Sequence, residues 1–408
     1  MSWKLWERFG VEQEFMIVDR DTLDVLPRAD LLLKNAAGEI ESEIVRADVG
    51  WSNELVSHVI ELKAAQPLTS LQGWSDRIAS EIRTIDAILA PAGARLLPTA
   101  AHPWMDPLRE TVLWPHENTE IYRAYDRIFN CQGHGWANLQ SVHLNLSFAG
   151  DVEFGRLHAA IRAVLPLIPG LTAASPFLDG RFCGFLDGRL ETYRHNQERI
   201  PVIAGEVIPE EVFTEKDYDT HIFSPVREAI RPFDPEGLLS QFFLNSRGAI
   251  ARFDRGAIEI RIIDLQECPA ADLAILQTVV ALLRLLVDEA KVSMPELMSL
   301  DTRTLAACYH RVVRYGEDAR IDDAKYLRVF GLPPQSLGVG EIWKRLWPQL
   351  SPGVESGLRP IMETMMDSGT LSSRLLRVLG HTPSHSKLLG VYRELADCLL
   401  ENQLWAGR

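Results

Sequence analysis

Cysteine is scarce in this chain, and the few present are not arranged to do structural work. Five cysteines in 408 residues, at positions 131, 183, 268, 308 and 398, are scattered, odd in number and free of Cys-x-x-Cys spacing. That usage excludes a disulfide framework or a zinc knot and fits a reducing compartment. Positive charge is also short. Lys and Arg number 42 against 56 Asp and Glu, a formal net charge of −14, which argues against nucleic acid or an anionic membrane as the main partner. Long apolar runs are missing too. The most apolar stretch, 273–287, is interrupted by Gln277 and Arg284 and is expected to be too short to span a bilayer. Residues 1–8 carry charges and no apolar segment, so no signal peptide is expected and the location expected is cytoplasmic. Gly-x-Ser-x-Gly, Walker-type and Gly-x-Gly-x-x-Gly motifs are absent, which disfavours serine hydrolases, P-loop enzymes and Rossmann dehydrogenases.

What is present is a large apolar share, 46%, enough for a sizeable core. Polar–apolar alternation predicts strands over 10–18, 39–47, 56–63, 94–98, 141–148, 249–253 and 257–264. Helices are predicted over 71–89, 118–128, 151–167, 238–243, 270–287 and most of the chain after Met294. The proline-bearing, charged stretch 201–236 reads as a long functional loop. Alternating strands suit an antiparallel sheet with one face on helices and one face open. The expected class is therefore α+β. The whole chain, 1–408, is expected to be one catalytic domain: a sheet-bearing core over 1–290 and a mostly helical part over 291–408.

Four segments carry chemistry. Side chains two apart share a strand face, so Glu12, Glu14, Met16 and Val18 lie on one side of the first strand. Val11, Phe15 and Ile17 take the core side, with Gln13 the exception. Adjacent carboxylates repel, and a bound cation is the simplest remedy; rigid carboxylate pairs suit Mg²⁺. In the second segment Glu61 shares a face with Val59 and Lys63, and Glu54 sits just upstream on a turn. Taken alone, Glu61 reads as a carboxylate paired with Lys63. In the third, Val142, Leu144, Leu146 and Phe148 face the core while Ser141, His143, Asn145 and Ser147 face away. That polar face is either solvent-exposed or, through His143 and Asn145, a binder of metal or phosphate. In the fourth, a hairpin around Asp254-Arg255-Gly256, Glu259 and Arg261 share a face. Either they pair with one another, or Glu259 takes a metal and Arg261 a phosphate or substrate carboxylate. Arg181, Arg189 and Arg194, set among Gly180, Gly184 and Gly188, form a basic surface loop or hold anionic oxygens.

In order, Gly10-Val-Glu-Gln-Glu-Phe, Glu61-Leu-Lys, Val142-His-Leu-Asn, Ser175-Pro-Phe-Leu-Asp-Gly-Arg, Ile258-Glu-Ile-Arg-Ile-Ile-Asp and the leucine-rich tail 388–405 make up a recognisable set. The chain resembles the glutamate–cysteine ligase family 2, the bacterial carboxylate–amine ligases, over nearly its whole length. The resemblance implies a glutamine-synthetase-like fold, in which a largely antiparallel sheet forms a concave, carboxylate-lined trough with helices on its other face. It implies ATP and two or three Mg²⁺ ions, or Mn²⁺, with Glu12, Glu14, Glu54, Glu61, His143 and Glu259 as the metal set. Arg181, Arg189, Arg252 and Asn145 would hold the cofactor, and Arg261, Glu259 and Arg194 would act at the reacting groups. The implied reaction activates a carboxylate, such as the γ-carboxyl of glutamate, as an acyl phosphate and joins it to an amine such as cysteine. The partners are then small molecules, and the C-terminal helices either complete the core or pair two subunits into a homodimer. A kinase of a carboxyl or guanidino group and a non-catalytic nucleotide- or amino-acid-binding relative are the alternatives. Asn145, where many relatives have a second histidine, and Phe182-Cys183, where Thr-Gly often follows, depart from the family pattern.

Overall fold

A computed structural model describes residues 3–407. Its largest element is a sheet of eight antiparallel strands. Strand β1 (Phe9–Asp19) is central; β2 (Glu43–Arg46), β3 (Val49–Asn53), β4 (Val59–Ala64), β5 (Ala94–Leu97) and β6 (Ser141–Ser147) follow in the chain. A two-residue hairpin of β7 (Phe177–Leu178) and β8 (Arg181–Phe182) stands apart, and β9 (Ala249–Arg252) and β10 (Ala257–Asp264) complete the main sheet. The spatial order is β2-β3-β4-β1-β6-β10-β9, with β5 paired to the far half of β1. The expected α+β class with a largely antiparallel sheet is the one found.

Local chemistry explains where the elements depart from expectation. The single strand predicted over 39–47 is instead a hairpin, which turns at Ala47 with φ of +54° and runs back as β3. That strand was not predicted, because Gly50, Ser52 and Asn53 interrupt any alternation of apolar residues. The strand predicted from residue 56 begins at Val59, since Val56 bridges to Leu113 instead. The stretch 201–236 is not one loop. Thr214 accepts a hydrogen bond from Asp217 N and starts a helical run that continues through a π-turn at Asp219–Phe223 to Ile230. The helix predicted over 238–243 is a single turn, Gln241–Leu244.

The apolar stretch 273–287 belongs to a longer helix, Pro269–Val287, with proline in its first turn. At 19 residues and mean hydropathy 1.9 it is long and apolar enough to cross a membrane, yet 83% of it is buried inside the fold. It packs against the helices Trp74–Leu89 and Gly150–Val164 as the centre of the core.

One face of the sheet, carrying Val11, Phe15, Ile17, Ile60, Leu62, Val142, Leu144 and Ile260, meets this helical layer. The same core continues into the C-terminal part through Trp343, Leu346 and Leu399. The other face is divided. Its far half, with Met16, Val18, Val59 and Leu97, is covered by Leu388, Val391, Tyr392 and Leu395 of the helix His385–Glu401. Burying each of these aliphatic side chains contributes about 1.5–3 kcal/mol. The leucine-rich tail therefore completes the core. The near half, from Gly10 to Glu14, is left open as a trough.

Candidate active site

Strand register lays the polar residues out as a grid. Glu14 stands opposite Glu61, and Glu61 opposite Ser52. One step along, Glu12 lies between Lys63 on β4 and His143 on β6. One step further, Asn145 lies between Gly10 on β1 and Glu259 on β10. The alternation in four separate segments thus becomes one contiguous acidic floor. It underlies a cavity of about 960 Å³, a size suited to small-molecule ligands.

His143 is the hub of the floor. Ser141 Oγ donates its proton to Glu14 Oε2 at 2.9 Å, so it accepts from His143 Nε2, also at 2.9 Å. His143 Nδ1 lies 3.2 Å from Glu12 Oε2 and 3.7 Å from Glu259 Oε1. Both ring nitrogens therefore donate, and the ring is an imidazolium. Burial disfavours that charge, but the bond to Glu12 and the charges of Glu14 and Glu259 raise its pKa above the ordinary histidine value. Burial likewise pushes Glu12 up, yet the His143 bond and charge, with Lys63 and Arg261, bring it down to about 2. Glu61 goes the other way, pushed up to about 7 by burial and then by Glu12, against the pull of Lys63 and Ser52. Glu54 is held well above its usual range by burial and by Glu61 and Glu14.

The ligand atoms fall into two groups that share the imidazole: Glu12, His143 and Glu259, and Glu14, Glu61 and His143, each within 4.8 Å. Oxygen-rich sets with one imidazole fit Mg²⁺ or Mn²⁺ rather than a thiolate-seeking metal. Glu54 lines the same cavity but belongs to neither group.

The arginines separate. Arg261 and Arg189 line the trough, and Arg252 lines it at the open end. Arg261 Nε lies 3.2 Å from Glu259 Oε1 but off the line of a hydrogen bond, so the contact is coulombic. Burial disfavours the Arg261 charge, but Tyr193 and the carboxylates of Glu259, Glu14 and Glu12 hold its pKa above the ordinary value. A bulge between Ile260 and Ile263 inserts one residue into β10. Past it, strict alternation fails: Asp264 comes to lie opposite Ser141, pairs with Arg189 Nε at 2.5 Å and anchors that guanidinium at the trough wall. Arg252 is held by Asp254 at 2.9 and 3.1 Å. Arg181 and Arg194 are not brought to the site. Arg181 is exposed on β8. Arg194 follows the helix Gly188–Tyr193, whose pitch directs Arg189 and Tyr193 inward, and it binds Glu191 instead.

The family model described as glutamate–cysteine ligase family 2 matches residues 8–392. The chain belongs to that family. An uncharacterised protein of Archaeoglobus fulgidus is 33% identical over 396 residues, 97% of this chain and 99% of that one. A putative glutamate–cysteine ligase 2 of Pseudomonas aeruginosa is 25% identical over 360 residues, covering 86% of this chain and 77% of the relative. In fold the chain is similar to the Francisella tularensis glutamate–cysteine ligase solved in complex with AMP, with TM-score 0.63, 11% identity, and coverage of 100% and 91%. It is also similar to a bifunctional glutathione synthetase from Pasteurella multocida, with TM-score 0.54 and 14% identity over 97% of this chain and 53% of the other. By family the protein is a carboxylate–amine ligase.

Pattern reading missed several residues that line the ligase's trough or support its floor. Ser52, on the unpredicted β3, donates to Glu61 Oε1 at 2.7 Å. Lys63, read only as a partner of Glu61, also reaches Glu43 at 2.8 Å; burial opposes its charge, but Glu61 and Glu43 raise it. The wall above the sheet is aromatic, with Tyr122, Tyr125, Trp136 and Tyr193. Tyr122 and Tyr125 are three apart on one helix, and Tyr193 is four from Arg189. Those spacings were the available signals. Of the two stretches expected to shape the site, 201–236 contributes no lining residue, whereas 102–136 supplies Asn118, Ile121, Tyr122, Tyr125, Gly135 and Trp136.

Proposed function

We propose that this family member uses ATP and two or three Mg²⁺ ions to activate a substrate carboxylate by phosphoryl transfer and then joins it to an amine. The observation that carries the reading is the set of Glu61, Glu14, Glu12 and Glu259, stepped across four neighbouring strands around a single imidazole. ATP, a substrate carboxylate and this floor share one cavity only if cations intervene. Glu12, Glu14, Glu61, His143 and Glu259 would hold the ions, which when bound supply charge neutralisation for the phosphates and the transferred group.

The chain's own residues supply positioning. Arg261 and Arg189, both anchored by carboxylates, hold anionic oxygens in a fixed place. Asn145 Nδ2 donates to Glu12 Oε1 at 3.2 Å and fixes that carboxylate's rotamer. The aromatic wall excludes water from the activated acid, which would otherwise be hydrolysed. Glutamate is the acid that the family name suggests.

ADP release from Mg-ATP, with acids and amines supplied singly and in pairs, tests this. The expected result is release that requires one acid and one amine together, and that is lost in Glu12→Gln and Glu259→Gln while the circular dichroism spectrum is unchanged. Release with a single acid and a stable phosphorylated product would make the protein a kinase. Normal turnover in both variants would remove the trough from the chemistry.

A further inference from the structure

Behind Arg189, away from the cavity, two motif segments meet: Ser175, which opens Ser-Pro-Phe, and Asp264, which ends β10. Asp264 accepts hydrogen bonds from Ala174 N at 2.8 Å, Ser175 Oγ at 3.0 Å and Arg189 Nε at 2.5 Å. Ser175 Oγ in turn accepts from Arg189 N at 3.0 Å. One pair of side chains thus holds both the backbone and the guanidinium of this arginine. Arg189 Nη1 also reaches Arg261 O at 3.4 Å, which ties the pair to the bulge that carries Arg261. Asp187 is the member without an evident task. It is 0% exposed and accepts from Leu190 N at 2.9 Å through Oδ1. Ser175 Oγ stands 3.5 Å from that same oxygen, but its single proton goes to Asp264. Oδ2 is buried with no donor. The charged and titratable groups around Asp187 are Asp264, Arg189, Cys183 and Tyr309. The Asp264 carboxylate is within hydrogen-bonding range but has no proton to give. Burial first, then Asp264, hold the Asp187 carboxyl well above its usual range, against Arg189 and the Leu190 amide.

We propose that Asp187 is a positioning residue for Arg189: as a neutral carboxylic acid it donates from Oδ2 to Asp264, and so fixes the carboxylate that holds the guanidinium at the trough wall. The inference rests on the ligase reading for what Arg189 does there, and goes beyond it in giving a role to a residue that touches no substrate. Two ionised carboxylates buried with one guanidinium would leave a negative charge unmatched, which is costly. A single proton removes that charge, satisfies the orphaned oxygen and supplies one more donor to Asp264. As a helix cap alone Asp187 would need only Oδ1, and serine would serve equally well.

Asp187→Asn and Asp187→Ser, made in the full chain, separate the two roles. Both keep an oxygen for the Leu190 amide, but only asparagine also offers a donor long enough to reach Asp264. With isotope-labelled arginine, the Nε–H of Arg189 is expected to exchange slowly with solvent in the parent and in Asp187→Asn, and about tenfold faster in Asp187→Ser. The infrared difference spectrum, parent minus Asp187→Asn, is expected to contain the carbonyl stretch of a neutral carboxylic acid at neutral pH. In turnover Asp187→Ser is expected to lose about tenfold or more in kcat, and Asp187→Asn to recover most of that loss at a similar melting temperature. Equal exchange and equal kcat in the two variants would leave Asp187 a cap and overturn the proposal. A difference spectrum without the acid band would do the same. Failure of the ligase reading shows separately, as no ADP release from the parent with any acid–amine pair, while the exchange and infrared results still decide whether Asp187 holds Arg189.

Discussion

Glu14 and Glu61 stand directly opposite one another on β1 and β4, two carboxylates in register on a buried floor. Like charges so placed are destabilising in a sheet, and Glu61 is pushed up to about 7, by burial first, then by Glu12, with Glu14 adding the least. Its folded value lies above its unfolded one. The stabilisation its protonated form provides is therefore complete below pH 4.5 and is lost as pH rises through about 7.

Glu61→Gln should remove that pH-dependent loss. Ser52 can still donate to the new carbonyl oxygen, and Lys63 keeps Glu43. The metal-free variant should match the parent near pH 4 and exceed it by about 1–3 kcal/mol at pH 8, while ADP release disappears. Thermal melts at the two pH values check the first part. A variant that is less stable at pH 8 would show that the pair is not in conflict.

Cation binding should release protons. His143 is an imidazolium in the metal-free trough, and Glu61 retains its proton up to about pH 7. A divalent ion needs both deprotonated. Affinity for Mg²⁺ or Mn²⁺ should fall by about tenfold or more per pH unit below 7. Calorimetry in buffers of different ionisation enthalpy counts the protons, and a buffer-independent heat at pH 6 would contradict the assignment.

Gly10 is required by the side chain it faces. A Cβ there would meet Asn145 Cβ at 2.9 Å and Nδ2 at 3.3 Å, displacing the amide that holds Glu12. Gly10→Ala should destabilise by about 1–3 kcal/mol and weaken metal binding. Combining it with Asn145→Gly should recover more stability than the single changes predict, by a coupling of about 1 kcal/mol measured in a double-mutant cycle. Strict additivity would place the effect of Gly10 elsewhere.

The acidic floor was legible because period-two alternation survives in β1, β4, β6 and β10 up to Ile260, and alternation alone decides which carboxylates share a face. Its cross-strand order was not, since pairing partners lie as far apart as Glu12 and His143. The arginines show a second boundary. Nothing in the spacing of Arg181, Arg189 and Arg194 tells that a six-residue helix turns only Arg189 inward, or that the β10 bulge swings Asp264 round to hold it. The aromatic wall stayed hidden because Tyr122, Tyr125 and Trp136 also fit plain core positions.

The C-terminal tail offers a test of how the closed end of the trough is held. Arg374 Nη1 lies 2.7 Å from Glu267 Oε1, with both side chains buried, and donates to Trp405 O at 3.1 Å. Trp405 in turn sends its indole N–H to Glu394 on the last helix. That helix packs Leu388, Val391, Tyr392 and Leu395 onto Met16 and Val59, just beyond Glu14 and Glu61. Removing one member of a buried pair strands the other, so Arg374→Ala should destabilise by about 3–5 kcal/mol. Arg374→Met with Glu267→Gln, which removes both charges, should lose much less. If the tail only decorates the surface, hydrogen exchange in 385–401 would be unchanged by Arg374→Ala. If it closes the trough, exchange there and around Val59 should rise together.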